Sequence, residues 1–319
     1  MAERASFPFH AEPAGNPWPH RLALVTAGAT FVLILAGGLV TNTESGLAVP
    51  DWPTTFGYNM FLYPWSRMVG GILYEHSHRL IGSVVGLLTL TLTLVIWAVE
   101  SRRWLRWLAG VALGGVILQG VLGGLRVVLV EETLAIVHGI LAQVFFGLMG
   151  SLVLFTSREW REPAVPVRGV DAGGLLWLTR LTTLTIFLQI VFGALLTHLS
   201  ARLDAHLTFA ALIVILVHLL AVRLRRYHPD RRPLIRAAAI LLGLLILQLL
   251  LGLGSYVARF TGLALPLISV STLALPISDR LTGGLMLVTS LVLTLRLHRS
   301  IDSREPVSDR GSVSGRIPA

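Results

Sequence analysis

Cysteine and lysine are both absent from this 319-residue chain. Without cysteine there can be no disulfide, iron–sulfur cluster, thiolate-ligated haem or thiol nucleophile. Charge is scarce as well: Asp, Glu, Lys and Arg make up 13% of residues, against roughly 25% in soluble domains. That deficit excludes an ordinary soluble enzyme and a disordered chain. The formal net charge of +9 comes from 26 arginines set between hydrophobic runs. Such a pattern reads as membrane topology, not as a phosphate-binding face, and no nucleic-acid partner is expected. Met1 to His20 is polar, without a short apolar core and cleavage site, so no removable leader is expected and the first span stays as an anchor.

What is present is apolar sequence in long runs. Eight stretches, 21–41, 78–99, 107–126, 133–156, 174–197, 205–222, 236–258 and 280–297, are each long enough to cross about 30 Å of hydrocarbon as a helix. The segment 261–279 is apolar but interrupted by Pro266 and Pro276; it reads as an outer re-entrant or interfacial loop. Arginine sets the sidedness. Segments 1–21, 99–107, 157–174, 223–236 and 296–319 hold nineteen arginines, and the alternate segments hold six. By the positive-inside rule the first set is cytoplasmic, and so are both termini. The expected fold is all-α and membrane-integral, with two four-helix bundles, 1–165 and 166–319. The tail from Arg299 onward reads as disordered.

Gln119–Gly123, Gln189–Gly193 and Gln248–Gly252 repeat one spacing on odd-numbered spans, and span one carries Leu33 and Gly37 in register. Small residues and amides are ordinary helix-packing devices, and the recurrence also supports a duplicated bundle. His78, His138 and His206 come one from each of three even-numbered spans, all near the outer face, and each is followed four residues later by Gly82, Ala142 or Ala210. A small residue at that spacing leaves room for a flat macrocycle beside the imidazole. Histidines near a helix end also meet interfacial water, but three at one depth, with no cysteine, point to haem ligation. Zinc suits the pattern less, since its sites favour three or four tightly grouped ligands. His218 reads as a buried, hydrogen-bonded histidine or, with His298, as part of an inner haem site. His10, His20, His228 and His298 read as solvated. Glu75 precedes His78 by three residues on one helix face, with Arg79 beside it. The carboxylate is placed to orient the imidazole, stabilise positive charge or move a proton, and Arg79 is suited to a haem propionate. A plain interfacial Glu–Arg pair is the structural alternative. His76 competes with His78 as a ligand but is rotated about 200° from it on the helix.

These residues, with the outer-loop run Glu44-Ser45-Gly46-Leu47-Ala48-Val49-Pro50-Asp51-Trp52-Pro53, resemble the haem A synthase family from span one to span eight. The resemblance implies two pseudo-symmetric four-helix bundles in a bacterial inner membrane, with haem sites toward the outer face. It implies oxidation of the ring methyl of haem O to the formyl of haem A for cytochrome oxidase biogenesis. His78 and His138 would hold the substrate haem and Glu75 would be the acidic residue of the chemistry. His206 would ligate a haem b in the second half. Haem O synthase and the oxidase assembly machinery are the implied partners, and a homo-oligomer is compatible. Where the family carries a further histidine at the start of span eight, this chain has Asp279, followed by Gly283. Asp279 is either a helix N-cap, the reading favoured here, or an oxygen ligand, which leaves the haem b in question. A non-enzymatic haem carrier is the rival reading. A transporter fits less well, because four spans per half keep the halves in one orientation.

Overall fold

A computed structural model describes residues 16–166, 171–260 and 268–302, without the side chains of 259, 260, 268–271 and 302. Eight long helices dominate: α1 (Trp18–Asn42), α2 (Gly71–Val99), α3 (Arg103–Leu129), α4 (Glu132–Thr156), α6 (Ala172–Leu199), α7 (Leu203–Tyr227), α8 (Arg232–Phe260) and α9 (Ile268–Asp302), with α5 (Arg158–Arg161) a single turn. All eight are long and apolar enough to cross a membrane, so the chain is a multi-pass membrane protein. In lipid a helix satisfies its own backbone. The threonines inside the bundle do the same for their hydroxyls: Thr26, Thr30, Thr89 and Thr93 each donate to a carbonyl four residues back, at 2.7–2.8 Å.

The helices outrun the apolar stretches that announce them. α2 begins at Gly71, seven residues before His78, because polar residues continue a helix whose hydrogen bonds are internal. The outer loop expected over 261–279 is overturned for its latter part. Residues 268–279 form the opening turns of α9, with Pro276 inside the helix. Proline removes one backbone bond, a loss tolerated in membrane helices where neighbouring groups re-satisfy the freed carbonyl. Helix also continues to Asp302, so disorder does not begin at Arg299. Residues 261–267, the tail from 303 and the stretch 167–170 beside the expected bundle boundary lie outside the described residues.

α1 packs on α2, α3 on α4, α6 on α7 and α8 on α9, so the molecule is built from four helical hairpins. One hydrophobic cluster gathers residues of α1–α4, including Leu92, Ile96, Met149 and Leu152. A second gathers residues of α6–α9, including Leu175, Leu220, Leu241 and Leu293. α9 is the seam. It also packs on α1 and α4, and glycines let it approach. A Cβ at Gly38 would stand 3.2 Å from Ile277, and one at Gly150 would stand 2.6 Å from Val288. At the end of the bundle away from the 43–70 loop, Arg296 pairs with Glu159 at 2.7 Å, and Arg299 donates to the Glu159 carbonyl at 3.1 Å.

Among the described residues β-structure is confined to one hairpin in the loop between α1 and α2, β1 (Thr54–Thr55) with β2 (Tyr58–Asn59). Phe56 and Gly57 make its turn with φ of 50° and 77°, a combination in which glycine relieves the second position.

Candidate functional site

Each helical hairpin brings a glycine of its first helix against a polar side chain of its second. An added Cβ at Gly37 would lie 3.1 Å from Cε1 of His78, and at Gly123, 3.3 Å from Cε1 of His138. At Gly193 it would lie 3.5 Å from Cε1 of His206, and at Gly252, 3.6 Å from Oδ1 of Asp279. All four positions fall near the end of the bundle that carries the 43–70 loop. The glycines are helix-packing residues, as expected, but what they make room for is the site.

In the first half the two candidate ligands meet. The His78 and His138 rings have centroids 6.5 Å apart, inclined at 81°. A metal bonded to two imidazoles at about 2 Å each holds the ring centroids roughly 6 Å apart. The backbone of Leu33 approaches His78 and that of Gln119 approaches His138, although neither Nδ1 closes a well-formed bond. Such carbonyls commonly take the Nδ1 proton of a ligating histidine and leave Nε2 for the metal. The pair is therefore spaced so that His78 and His138 could together hold a haem iron.

The 43–70 loop closes over this end of the bundle through Glu75 and Arg79. Glu75 is 3% exposed. Its Oε2 accepts from the Val49 amide at 2.8 Å, and its Oε1 accepts from Arg79 at 2.6 Å. Arg79 also donates to the carbonyls of Val49, Asp51 and Thr54 at 3.0, 2.7 and 3.1 Å. Its contacts are thus with the loop and Glu75, and a buried, multiply bonded Glu–Arg pair replaces the loose interfacial one. Trp52 lies against Gly124, where any side chain would collide with its indole. His76 bonds Thr55 Oγ1 at 3.1 Å and packs on Tyr63, so it anchors the loop and does not join His138.

The second half is different. Gln189 Nε2 stands 3.2 Å from His206 Nε2; an amide nitrogen only donates, so the ring nitrogen is the acceptor and keeps its lone pair on that side. Gln248 Nε2 donates to Asp279 Oδ1 at 2.6 Å. Asp279 lies eleven residues inside α9. The N-cap reading is thereby overturned, since an N-cap needs free backbone amides and Asp279 sits where the helix is already bonded.

Residues 65–205 match the model of a family described as cytochrome oxidase assembly protein, COX15-CtaA. Proteins named haem A synthase are similar over a little more than half of the chain. That of Beijerinckia indica is 32% identical over 54% of this chain and 55% of its own length. The Rhodopseudomonas palustris protein is 33% identical over 57% and 59%, and the Shouchella clausii protein 29% over 57% and 60%. The chain matches little more than half the length of these relatives. Over the matched part the chain is similar to the haem A synthase family. The family match takes in Glu75, His78, Arg79 and His138, stops one residue short of His206, and leaves Asp279 outside.

Family resemblance and spacing alone passed over several residues. Arg126 approaches the Gly46 carbonyl at 3.4 Å, and its charge reaches His78, His138 and Glu75. Its signal was an arginine on the side with few of them. Arg280 follows Asp279 and donates to Thr41 on α1 at 3.3 Å, which ties the halves together. His198, in the last turn of α6, lies within reach of the charges of Arg280, Arg126 and Glu132. Three other histidines depart from expectation. His20 bonds the Val153 carbonyl at 3.1 Å and so joins α1 to α4. His228 is buried, and His218 is exposed on α7. Solvation was inferred from tail and loop position, and burial from apolar neighbours; packing decides both.

Proposed function

We propose that the chain is an oxidoreductase that converts a ring methyl of haem O to the formyl of haem A. The observation that carries this reading is the His78–His138 pair at 6.5 Å, with buried Glu75 one turn before His78. His78 and His138 take the iron of the substrate. Glu75 shares the helix face of His78, and its oxygens are already oriented by Val49 and Arg79. A fixed negative charge in a water-poor site favours positive charge developing at the methyl carbon. Arg126, and Arg79 where a donor remains, suit the propionates of the porphyrin. In the second half His206 is the ligand for a haem b, which would supply electron transfer.

The two hydrophobic clusters support a substrate half over 1–165 and a haem b half over 166–319. The arginine distribution supports cytoplasmic termini in a bacterial inner membrane, with both sites toward the outer face. A haem O synthase and the cytochrome oxidase assembly machinery are the corresponding partners. Co-expression with a haem O synthase, followed by pigment extraction, tests the activity: haem A is expected. Glu75→Gln should retain haem and yield none. Persistent haem O from folded protein, or undiminished haem A from Glu75→Gln, would overturn the reading.

A further inference from the structure

The four hairpins repeat one motif, and comparing them in register separates the halves. Where α2 carries Glu75, His78, Arg79 and Gly82, α9 carries Pro276, Asp279, Arg280 and Gly283. The acid three residues before the ligand is thus replaced by proline, and the imidazole by a carboxylate. Gly252 faces Asp279 as the other three glycines face histidines, so Asp279 occupies the fourth ligand position. It does not fill that position as a histidine does. A carboxylate is shorter than an imidazole, and Oδ1 is drawn toward α8 by the Gln248 amide at 2.6 Å. Gln248 has its counterpart in Gln189, which bonds His206, and in Leu33, which lies beside Gly82.

Building on the reading of this fold as a haem binder, we infer that the second half is a one-imidazole haem site. His206 supplies the single protein ligand. Asp279, held by the Gln248 amide at 2.6 Å, brings no second imidazole, so the position that His138 fills in the first half would be left to a small added ligand. The first half, with two imidazoles, is closed in the same sense. Ligand number and the polarity of the open side decide whether a haem transfers electrons or binds small molecules. This second site therefore accepts carbon monoxide or free imidazole where a bis-histidine site would refuse both.

The full-length protein, purified from cells co-expressing a haem O synthase, gives the test by absorption and electron paramagnetic resonance. One high-spin haem per chain is expected, binding carbon monoxide when reduced and turning low-spin on titration with free imidazole. Asp279→His should make that population low-spin without imidazole and weaken carbon monoxide binding at least tenfold. His206→Ala should remove it, and the double variant His78→Ala/His138→Ala should keep it. Where Asp279→His does not fold, the imidazole titration of the unsubstituted protein decides. A wholly low-spin protein indifferent to both ligands, or a high-spin population that survives His206→Ala, refutes the inference. Haem A formation is scored separately on extracted pigment. Its failure strikes the proposed activity and leaves the spin-state result standing.

Discussion

At the scale of single residues the site depends on small clearances. A Cβ at Gly37 comes within 3.1 Å of the His78 ring, tighter than ordinary van der Waals contact, so Gly37→Val must tilt the imidazole. Haem retention should fall about tenfold, the usual cost of disturbing a group that orients a metal ligand. Gly86, with nothing within 4 Å of an added Cβ, is the control: Gly86→Ala should leave haem content unchanged. Asp51 governs the outer hairpin. Burial works against its charge, but bonds from the Gly57 amide, the Thr54 hydroxyl and the Phe56 amide outweigh it and hold the carboxylate below the usual 3.8. A carboxylate with a depressed pKa stabilises the fold above its unfolded value and loses that contribution as pH falls through the folded one. Protection factors of the hairpin amides, with exchange corrected for its intrinsic pH dependence, should therefore be high near neutrality and fall below pH 3.8. Asp51→Asn should flatten that dependence and cost about 1–3 kcal/mol, through a carboxylate lost from a bonded turn.

At the scale of elements, α9 holds the two halves against one another through glycines. Between lipid-facing helices, close approach and packing do what water-driven burial does elsewhere. Gly150→Ala would press on Val288, since the added carbon falls 2.6 Å from it. Thermal unfolding in detergent should show a loss of about 1–3 kcal/mol, typical of an overfilled contact. Val288→Ala on that background should recover most of it, a coupling expected only of touching residues. If the double variant is no better than the single one, α4 and α9 do not meet there.

At the scale of the whole molecule the arginine asymmetry and the eight helices imply one topology. A chain without cysteine offers a clean measurement of it. A cysteine at Ser66, exposed in the 43–70 loop, should react with a membrane-impermeant maleimide in intact spheroplasts. One at Glu162, exposed at the opposite end, should react only after lysis. The reverse pattern would invert the molecule and place His78, His138 and His206 at the cytoplasmic face.

The number of long apolar helices, and His78, His138 and His206 as the residues to look at, were legible in the chain alone. Hydropathy, arginine distribution and four-residue spacing are properties of a line of residues, and a helix in lipid must satisfy its backbone within that line. Which glycine receives which imidazole was not legible. Nor was the bond from Val49 to a carboxylate 26 residues away, or the placing of Asp279 inside a helix that runs through Pro276. Those arrangements rest on shape fit and hydrogen bonds between separate helices, which local pattern does not encode. Only the packed bundle decides them.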